Sequence, residues 1–334
     1  MNINFIFRKS FQYGNYSIEK VFNTIILSLS NDTKINIKKF IVPGYSVGVL
    51  NRFINIIYTL IKQNGIIHIT GDIHYVAIFL KKQSTLLTIH DLVILKRHSG
   101  LKRLIYYYFW YYIPIKKCKY VTVVSNTIKQ ELITLFPAAK DKTYVIYNPL
   151  TISRSRRKSN NFNLEPIILH IGTSENKNLL NNILALTNYN CQLRIIGKLS
   201  IEQKELLEKS KIKYSNICNL SEDELVIEYL NADVLSFVST YEGFGLPIIE
   251  AQALGLPVLT SNISSMPEIS GLPIDCLANP YDPMDIREKI IKIINEPKFR
   301  NNIIDIGFQN IKRFDIDLIS NNYKHLYNLM CKHV

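Results

Sequence analysis

The sequence predicts an α/β protein made of two Rossmann-like, doubly wound halves. Three observations carry that expectation. A chain of 334 residues holds about two domains of ordinary size. Both halves alternate short apolar runs, turn-rich loops and segments of helical spacing, the order in which a parallel sheet is wound. The run Asp233–Val238 passes into a glycine loop and then a helix whose first turn contains Pro247, a position that needs no backbone donor.

In the first half, Ile3–Arg8 reads as a buried strand, Gly14–Ser17 as a loop and Ile18–Leu29 as a helix. Phe40–Gly44 reads as a second strand, Asn51–Lys62 as a helix, and Gly65–Thr70 and Thr85–Ile89 as strands. Polar residues just past the ends of parallel strands lie where open α/β sheets bind ligands. His68, Asp72, His74, His90 and Asp91 are therefore expected on one rim. Tyr120–Val124 is a strand, and Ser125 and Asn126 open a helix with a cap. Tyr144–Tyr147 and Asn148-Pro149 close a domain over residues 1–152, and the polar, basic residues 153–163 read as a linker.

The second half, residues 164–312, starts with strand Ile167–Ile171 and the loop Gly172–Asn178. Leu193–Ile196 with Gly197-Lys198, then Ile217–Ser221, are further strand ends, and Glu222–Leu230 is helical. Asp275–Pro280 reads as the last strand, followed by helices over Met284–Ile294 and Pro297–Lys312. Phe314–Met330 is a final helix within a tail of residues 313–334.

Composition excludes several classes. An apolar fraction of 47% supports buried cores rather than disorder. No window approaches the ~18 continuous apolar residues of a membrane span, and the apolar part of the N-terminus is short for a signal peptide. The five cysteines are odd in number and scattered, which fits a reducing cytoplasm and neither a disulfide framework nor a zinc site. The net charge of +13 is uneven: residues 1–150 carry 20 Lys+Arg against 6 Asp+Glu, or +14, and residues 151–334 carry 20 against 21, or −1. The first half alone seeks an acidic partner. Within it, Tyr106–Tyr112 is an aromatic run flanked by Lys96, Arg97, Lys102, Arg103, Lys116, Lys117 and Lys119. Such a run suits a membrane headgroup interface or a helix packed with tyrosines on both faces. Base stacking is less favoured, because no nucleic-acid motif accompanies it.

The densest signal is Ser239–Gly271, STYEGFGLPIIEAQALGLPVLTSNISSMPEISG. Two glutamates eight positions apart, Glu242 and Glu250, would alone fit an ordinary αβ unit. The whole run, however, resembles the Glu-x7-Glu region of the retaining glycosyltransferases of family 4, and Gly255–Ser261 and Pro267-Glu268 continue the pattern. The resemblance spans residues 165–315 most clearly and extends over 1–150.

It implies a GT-B fold, two Rossmann-like domains facing across a cleft with the last helix returning to the first domain. It implies a nucleotide-diphosphate sugar as donor, no metal and no other cofactor. The donor would meet Lys177 and the loop of Gly243, Phe244, Gly245 and Leu246, with Glu250 on the ribose and Glu242 on the sugar. Asn219 and Leu220 lie at the level where the family reads the base, Gly14 where it approaches the donor, and Thr173 where many members have an arginine, so Lys198 is a candidate second cation. His90 would face the sugar, and Asp72, His74, Asp91, Ser125 and Asn126 would serve the acceptor. The expected product is a glycan bond, with the anomeric configuration retained, on a lipid-diphosphate-linked acceptor at the inner face of a bacterial membrane, in surface polysaccharide assembly. Nucleic acid is not an expected partner. The alternatives are a GT-B sugar-nucleotide epimerase and a non-enzymatic basic protein that binds membranes or nucleic acid.

Overall fold

The computed structural model describes residues 1–10, 17–152 and 163–331. Gly14 and nearly all of the 153–163 linker therefore lie outside the described residues. The chain forms two compact units, Met1–Thr151 with Phe314–Val334, and Ile152–Arg313.

The first unit is wound on a six-stranded parallel sheet. In chain order its elements are β1 (Asn2–Phe7), α1 (Ser17–Leu29), β2 (Asn36–Ile41), α2 (Val49–Ile61), β3 (Ile66–Ile69), a 3-10 turn at His74–Phe79 and β4 (Thr85–Ile89). Then come α3 (Val93–Arg97), α4 (Gly100–Ile105), a π-helical segment at Tyr106–Tyr112, α5 (Ile113–Lys117), β5 (Tyr120–Val123), α6 (Asn126–Leu135) and β6 (Thr143–Val145). The strand order is β2-β1-β3-β4-β5-β6.

The central strands are buried apolar runs, as a sheet covered on both faces requires. The edge strand β2 is mostly exposed and carries Lys38 and Lys39, a charge pattern that discourages edge pairing. It begins earlier than the run Phe40–Gly44 suggests. Asn36 to Ile41 pairs in register with Asn2 to Phe7, and Pro43 cannot donate to a ladder.

His68 is not a rim residue. It lies inside β3, fully buried, with ring nitrogens 2.8 Å from Thr88 Oγ1 and 2.6 Å from the Tyr327 hydroxyl. Burial pushes its pKa down to about 3, so it is a neutral core histidine packed among Phe5, Phe22 and Tyr323.

The second unit holds a five-stranded parallel sheet. Its elements are β7 (Ile167–Ile171), α7 (Leu179–Leu186), β8 (Gln192–Ile196), α8 (Ile201–Ser210), β9 (Lys213–Ile217), α9 (Glu222–Asn231) and β10 (Val234–Phe237). They continue with α10 (Leu246–Ala253), β11 (Val258–Thr260), α11 (Met266–Ser270), α12 (Pro283–Asn295) and α13 (Pro297–Asn310). The order is β11-β10-β7-β8-β9. Successive residues serve opposite faces: Ile168 packs in the core with α7 and α12, and Leu169 in the core with α9 and α10. Ser200 and Ser221 open α8 and α9 with capping boxes.

Asp275–Pro280 is not a strand. The amides of Cys276 and Leu277 are spent in a 3-10 turn, and only Ala278 forms a bridge, to Ser261. The last helix, α14 (Ile316–Cys331), belongs to the first unit, where Tyr323 and Tyr327 pack on the sheet and Lys324 pairs with Asp32.

Candidate active site

In the second unit the ends of β7 and β10 place two loops side by side. Gly172 follows β7 at φ 92°, and a Cβ there would stand 2.8 Å from Lys177 Cγ. The missing side chain lets the lysine stem lie across the loop. Lys177 Nζ sits 4.7 Å from the centroid of the Phe237 ring and 2.7 Å from Glu242 Oε1. Asn176 ties the loops together: its carbonyl accepts from the Thr240 amide at 2.8 Å and its side-chain amide donates to the Tyr241 carbonyl at 3.0 Å. From the other side Ser264 Oγ accepts from the Glu242 amide at 3.1 Å and donates to the Glu242 carbonyl at 2.8 Å. Ser265 Oγ lies 2.9 Å and 3.0 Å from the carbonyls of Glu242 and Phe244. The backbone carrying Glu242 is thus fixed by hydrogen bonds that the glutamate side chain does not supply.

Gly245, at φ 103°, is the N-cap of α10, and Leu246 and Pro247 form its first turn. This places the positive end of the helix dipole at the Gly243–Leu246 loop. With Leu246 as the first helical residue, Glu250 is the fifth and falls in the second turn. It is buried, and the Tyr229 hydroxyl donates to its Oε2 at 2.8 Å. Burial and the adjacent carboxylate raise the Tyr229 pKa well above its ordinary value, so the phenol keeps its proton. Thr173 Oγ1 donates to the Lys198 carbonyl at 2.7 Å, joining the loop after β7 to the loop after β8. The Lys198 side chain is exposed, Asn219 is exposed at φ 58°, and Leu220 is half-buried beyond the end of β9. A cation, a carboxylate, a helix N-terminus and a second, buried carboxylate are therefore gathered on one rim. That set can hold an anionic leaving group beside a centre that turns positive.

In the first unit the expected rim group separates. Asp72 and His90 do come together, with Arg8 as a member that the sequence reading passed over. Arg8 Nη1 donates to Asp72 Oδ2 at 2.6 Å and its Nε to Glu19 Oε1 at 2.9 Å. His90 Nε2 lies 2.7 Å from the Thr70 carbonyl and so carries the proton, which leaves Nδ1 as the acceptor nitrogen. Burial lowers the His90 pKa, so the ring is neutral. Gly71 makes room for that ring, since a Cβ there would stand 3.1 Å from His90 Cδ2.

His74 instead opens the 3-10 turn and is buried against the π-helical segment. Its Nδ1 is 3.1 Å from the Trp110 carbonyl, and its pKa is pushed down to about 4. Asp91 precedes the α3 N-cap Leu92, and its Oδ1 accepts from the Val93 amide at 2.9 Å. Ser125 caps α6 from a buried position, accepting from the Ile128 amide at 3.2 Å, and Asn126 donates to the Tyr147 hydroxyl at 3.1 Å. Among the described residues no group of three or more His, Cys, Asp or Glu is placed to hold a metal ion.

Two family models match the chain, "Glycosyl transferases group 1" over residues 151–310 and "Glycosyltransferase Family 4" over residues 32–154. The chain is a glycosyltransferase of the family 4 type. The O-antigen chain mannosyltransferase RfbU of Salmonella typhimurium is 28% identical over 257 residues, which cover 72% of this chain and 70% of that protein. The O-antigen chain mannosyltransferase B of Escherichia coli is 34% identical over 106 residues, 31% of this chain and 28% of that one. Among solved structures, the sucrose-phosphate synthase of Thermosynechococcus elongatus superposes with a TM-score of 0.77 at 16% identity, covering 100% of both chains. Anabaena HepE, solved with UDP and glucose, gives 0.75 at 15% identity over 98% of this chain and 99% of that one. At these identities the structural likeness bears on the fold alone, and that fold is GT-B.

Tyr229, Ser264, Ser265, Asn176, Arg8 and Glu19 were not singled out by sequence. Ser264 and Ser265 lie inside the Ser239–Gly271 run, and Arg8 directly follows β1, so motif and rim arguments could have reached them. Tyr229 gives no such signal; only the packing of α9 against α10 places its hydroxyl on Glu250.

Proposed function

We propose that this transferase moves a sugar, with retention of anomeric configuration, from a nucleoside-diphosphate sugar to a lipid-diphosphate-linked glycan during assembly of a bacterial surface polysaccharide. The observation that carries the reading is the Lys177–Glu242 pair, 2.7 Å apart beside the N-terminus of α10, with Glu250 buried further along the same helix. Lys177 and the start of α10 meet the diphosphate as it leaves, where charge builds in the transition state. Preorganised donors in comparable sites contribute roughly 2.7–4 kcal/mol each. Glu250, oriented by Tyr229, accepts from the ribose hydroxyls. Glu242 faces the sugar and stabilises positive charge at its anomeric carbon.

Retention follows from attack on the face the leaving group departs from, with the diphosphate taking the acceptor proton. A covalent glycosyl ester on Glu242 is the competing route to the same stereochemistry. The reaction in this reading uses no metal and no other cofactor. The acceptor is assigned to the first unit, at the cluster of Arg8, Asp72 and His90, where His90 Nδ1 can accept from a sugar hydroxyl. Relatives named as O-antigen mannosyltransferases support the polysaccharide role and put mannose first among donors. The +14 first half supports work at the cytoplasmic face of an anionic membrane.

The test is release of UDP, GDP or TDP from a panel of nucleotide sugars with a lipid-linked acceptor, followed by NMR of the product. Turnover of one donor, with its anomeric configuration kept in the product as read from the one-bond C1–H1 coupling, is the expected result. No turnover of any donor would remove the transferase reading, and an inverted product would remove the mechanism.

A further inference from the structure

Helix α2 is laid with its polar residues inward. Its buried residues are Asn55 and Thr59, both at 0% exposure. Asn55 Nδ2 donates to the Gly44 carbonyl and the Tyr75 hydroxyl at 2.9 Å each, and its Oδ1 accepts from the Gly44 amide at 2.8 Å. Thr59 Oγ1 donates back to the Asn55 carbonyl at 2.8 Å. The polar groups of the inward face are therefore satisfied by hydrogen bonds, as buried polar groups require. The apolar stripe is left outward: Leu50 is 72% exposed, Phe53 54%, Ile57 43% and Ile61 74%. Their spacing follows one helix face, which in a water-facing helix would point to the core.

The stripe is not isolated. Arg52 lies over the Trp110 ring, 5.2 Å from its centroid, which ties α2 to the π-helical segment. That segment adds Phe109 at 54% exposure, and α4 just before it Leu101 at 73%, while Trp110 and Tyr111 pack inward. The aromatic run is thus buried at Trp110 and Tyr111 and exposed at Tyr108, Phe109 and Tyr112. The chain on either side of this face is basic. Residues 33–71 contain five Lys or Arg, residues 92–130 contain eight, and neither span contains an Asp or Glu. Pairing with a second copy would set two such basic faces together. An anionic bilayer accepts the apolar stripe in its acyl boundary and the flanking cations at its headgroups. Among the described residues no helix is long and apolar enough to cross a membrane.

We propose that α2 is an interfacial helix that inserts its outward stripe into an anionic lipid surface, with the exposed side of residues 100–112 beside it. The proposal rests on the membrane-face part of the proposed function and names the surface that performs it. The full chain is floated with vesicles of phosphatidylglycerol and phosphatidylcholine, and with phosphatidylcholine alone, at low and high salt. The wild type should float with the anionic vesicles and keep part of that binding at high salt, because apolar contacts are not screened.

The triple variant Leu50→Ser/Phe53→Ser/Ile57→Ser should lose roughly a hundredfold in partitioning. Its turnover on a soluble acceptor analogue should equal that of the wild type. Equal flotation of variant and wild type, no wild-type flotation on anionic vesicles, or a wild-type dimer that the triple variant dissociates would each overturn the proposal. Phe53→Trp supplies a readout that does not depend on the triple variant folding: brominated phosphatidylglycerol should quench its added emission, and unquenched emission counts against insertion. Flotation as expected, with no turnover of any nucleotide sugar, would instead sink the transferase reading and leave the surface standing.

Discussion

Replacing Gly172 with alanine tests the donor site through a residue that carries no functional group. At φ 92° an L-residue is strained, at a cost of about 1–2 kcal/mol. The new methyl group would also stand 2.8 Å from Lys177 Cγ and 3.1 Å from Cδ. Cγ is too close to the backbone to swing aside alone, so the whole lysine stem must leave the loop. Nζ then loses its place 2.7 Å from Glu242 and over Phe237. A hydrogen bond to a charged group contributes about 1.5–3 kcal/mol, so binding of a nucleoside diphosphate should weaken roughly 10- to 150-fold. The backbone strain should lower the melting temperature by a few degrees. Calorimetry with the free nucleotide, alongside a thermal melt, separates the two effects. In a Lys177→Ala background the same glycine substitution should weaken binding no further. An equal loss in both backgrounds would refute the claim that Gly172 acts by seating Lys177.

The two glutamates should separate kinetically: Glu242→Gln cuts turnover and leaves nucleotide affinity nearly intact, whereas Glu250→Ala chiefly weakens the nucleotide. Tyr229→Phe, which removes the donor 2.8 Å from Glu250, should raise the donor KM several-fold with a smaller change in kcat; the reverse pattern in either set would exchange the assigned roles. Stability should also depend on pH through the buried histidines. His68 is held at about 3, and His74 and His170 at about 4, against an unfolded value of about 6.5. Below about pH 6.5 the unfolded chain binds more protons than the folded one, so stability is complete above that pH and falls as pH drops toward 4. Urea unfolding at pH 7.5, 6 and 5 should show this decline, and a flat profile would contradict neutral buried rings.

Much of this protein is written in local sequence. Apolar runs with β spacing, Ser125 as a helix cap, and glycines at the strand-to-helix loops fix most strands and several helices within a few residues, because backbone preference and short-range hydrogen bonding decide them. The Ser239–Gly271 run likewise announces a glycine loop, a helix N-terminus and two carboxylates, since those features depend only on neighbours in the chain. What lay beyond it required partners far away in sequence. Phe40–Gly44 and Asp275–Pro280 look extended, yet strand identity depends on which ladder accepts them. His68 and His90 look alike as rim candidates. Tyr327, 259 residues away from His68, helps make that residue a core member, while Gly71 and Thr70 hold His90 at the rim. Tyr229 meets Glu250, and Arg8 meets Asp72, only once the helices and strands are assembled. The outward face of α2 shows the difference most plainly. Its sequence prescribes an amphipathic helix, but periodicity does not say which face turns inward; the hydrogen bonds that Asn55 makes with Gly44 and Tyr75 decide that.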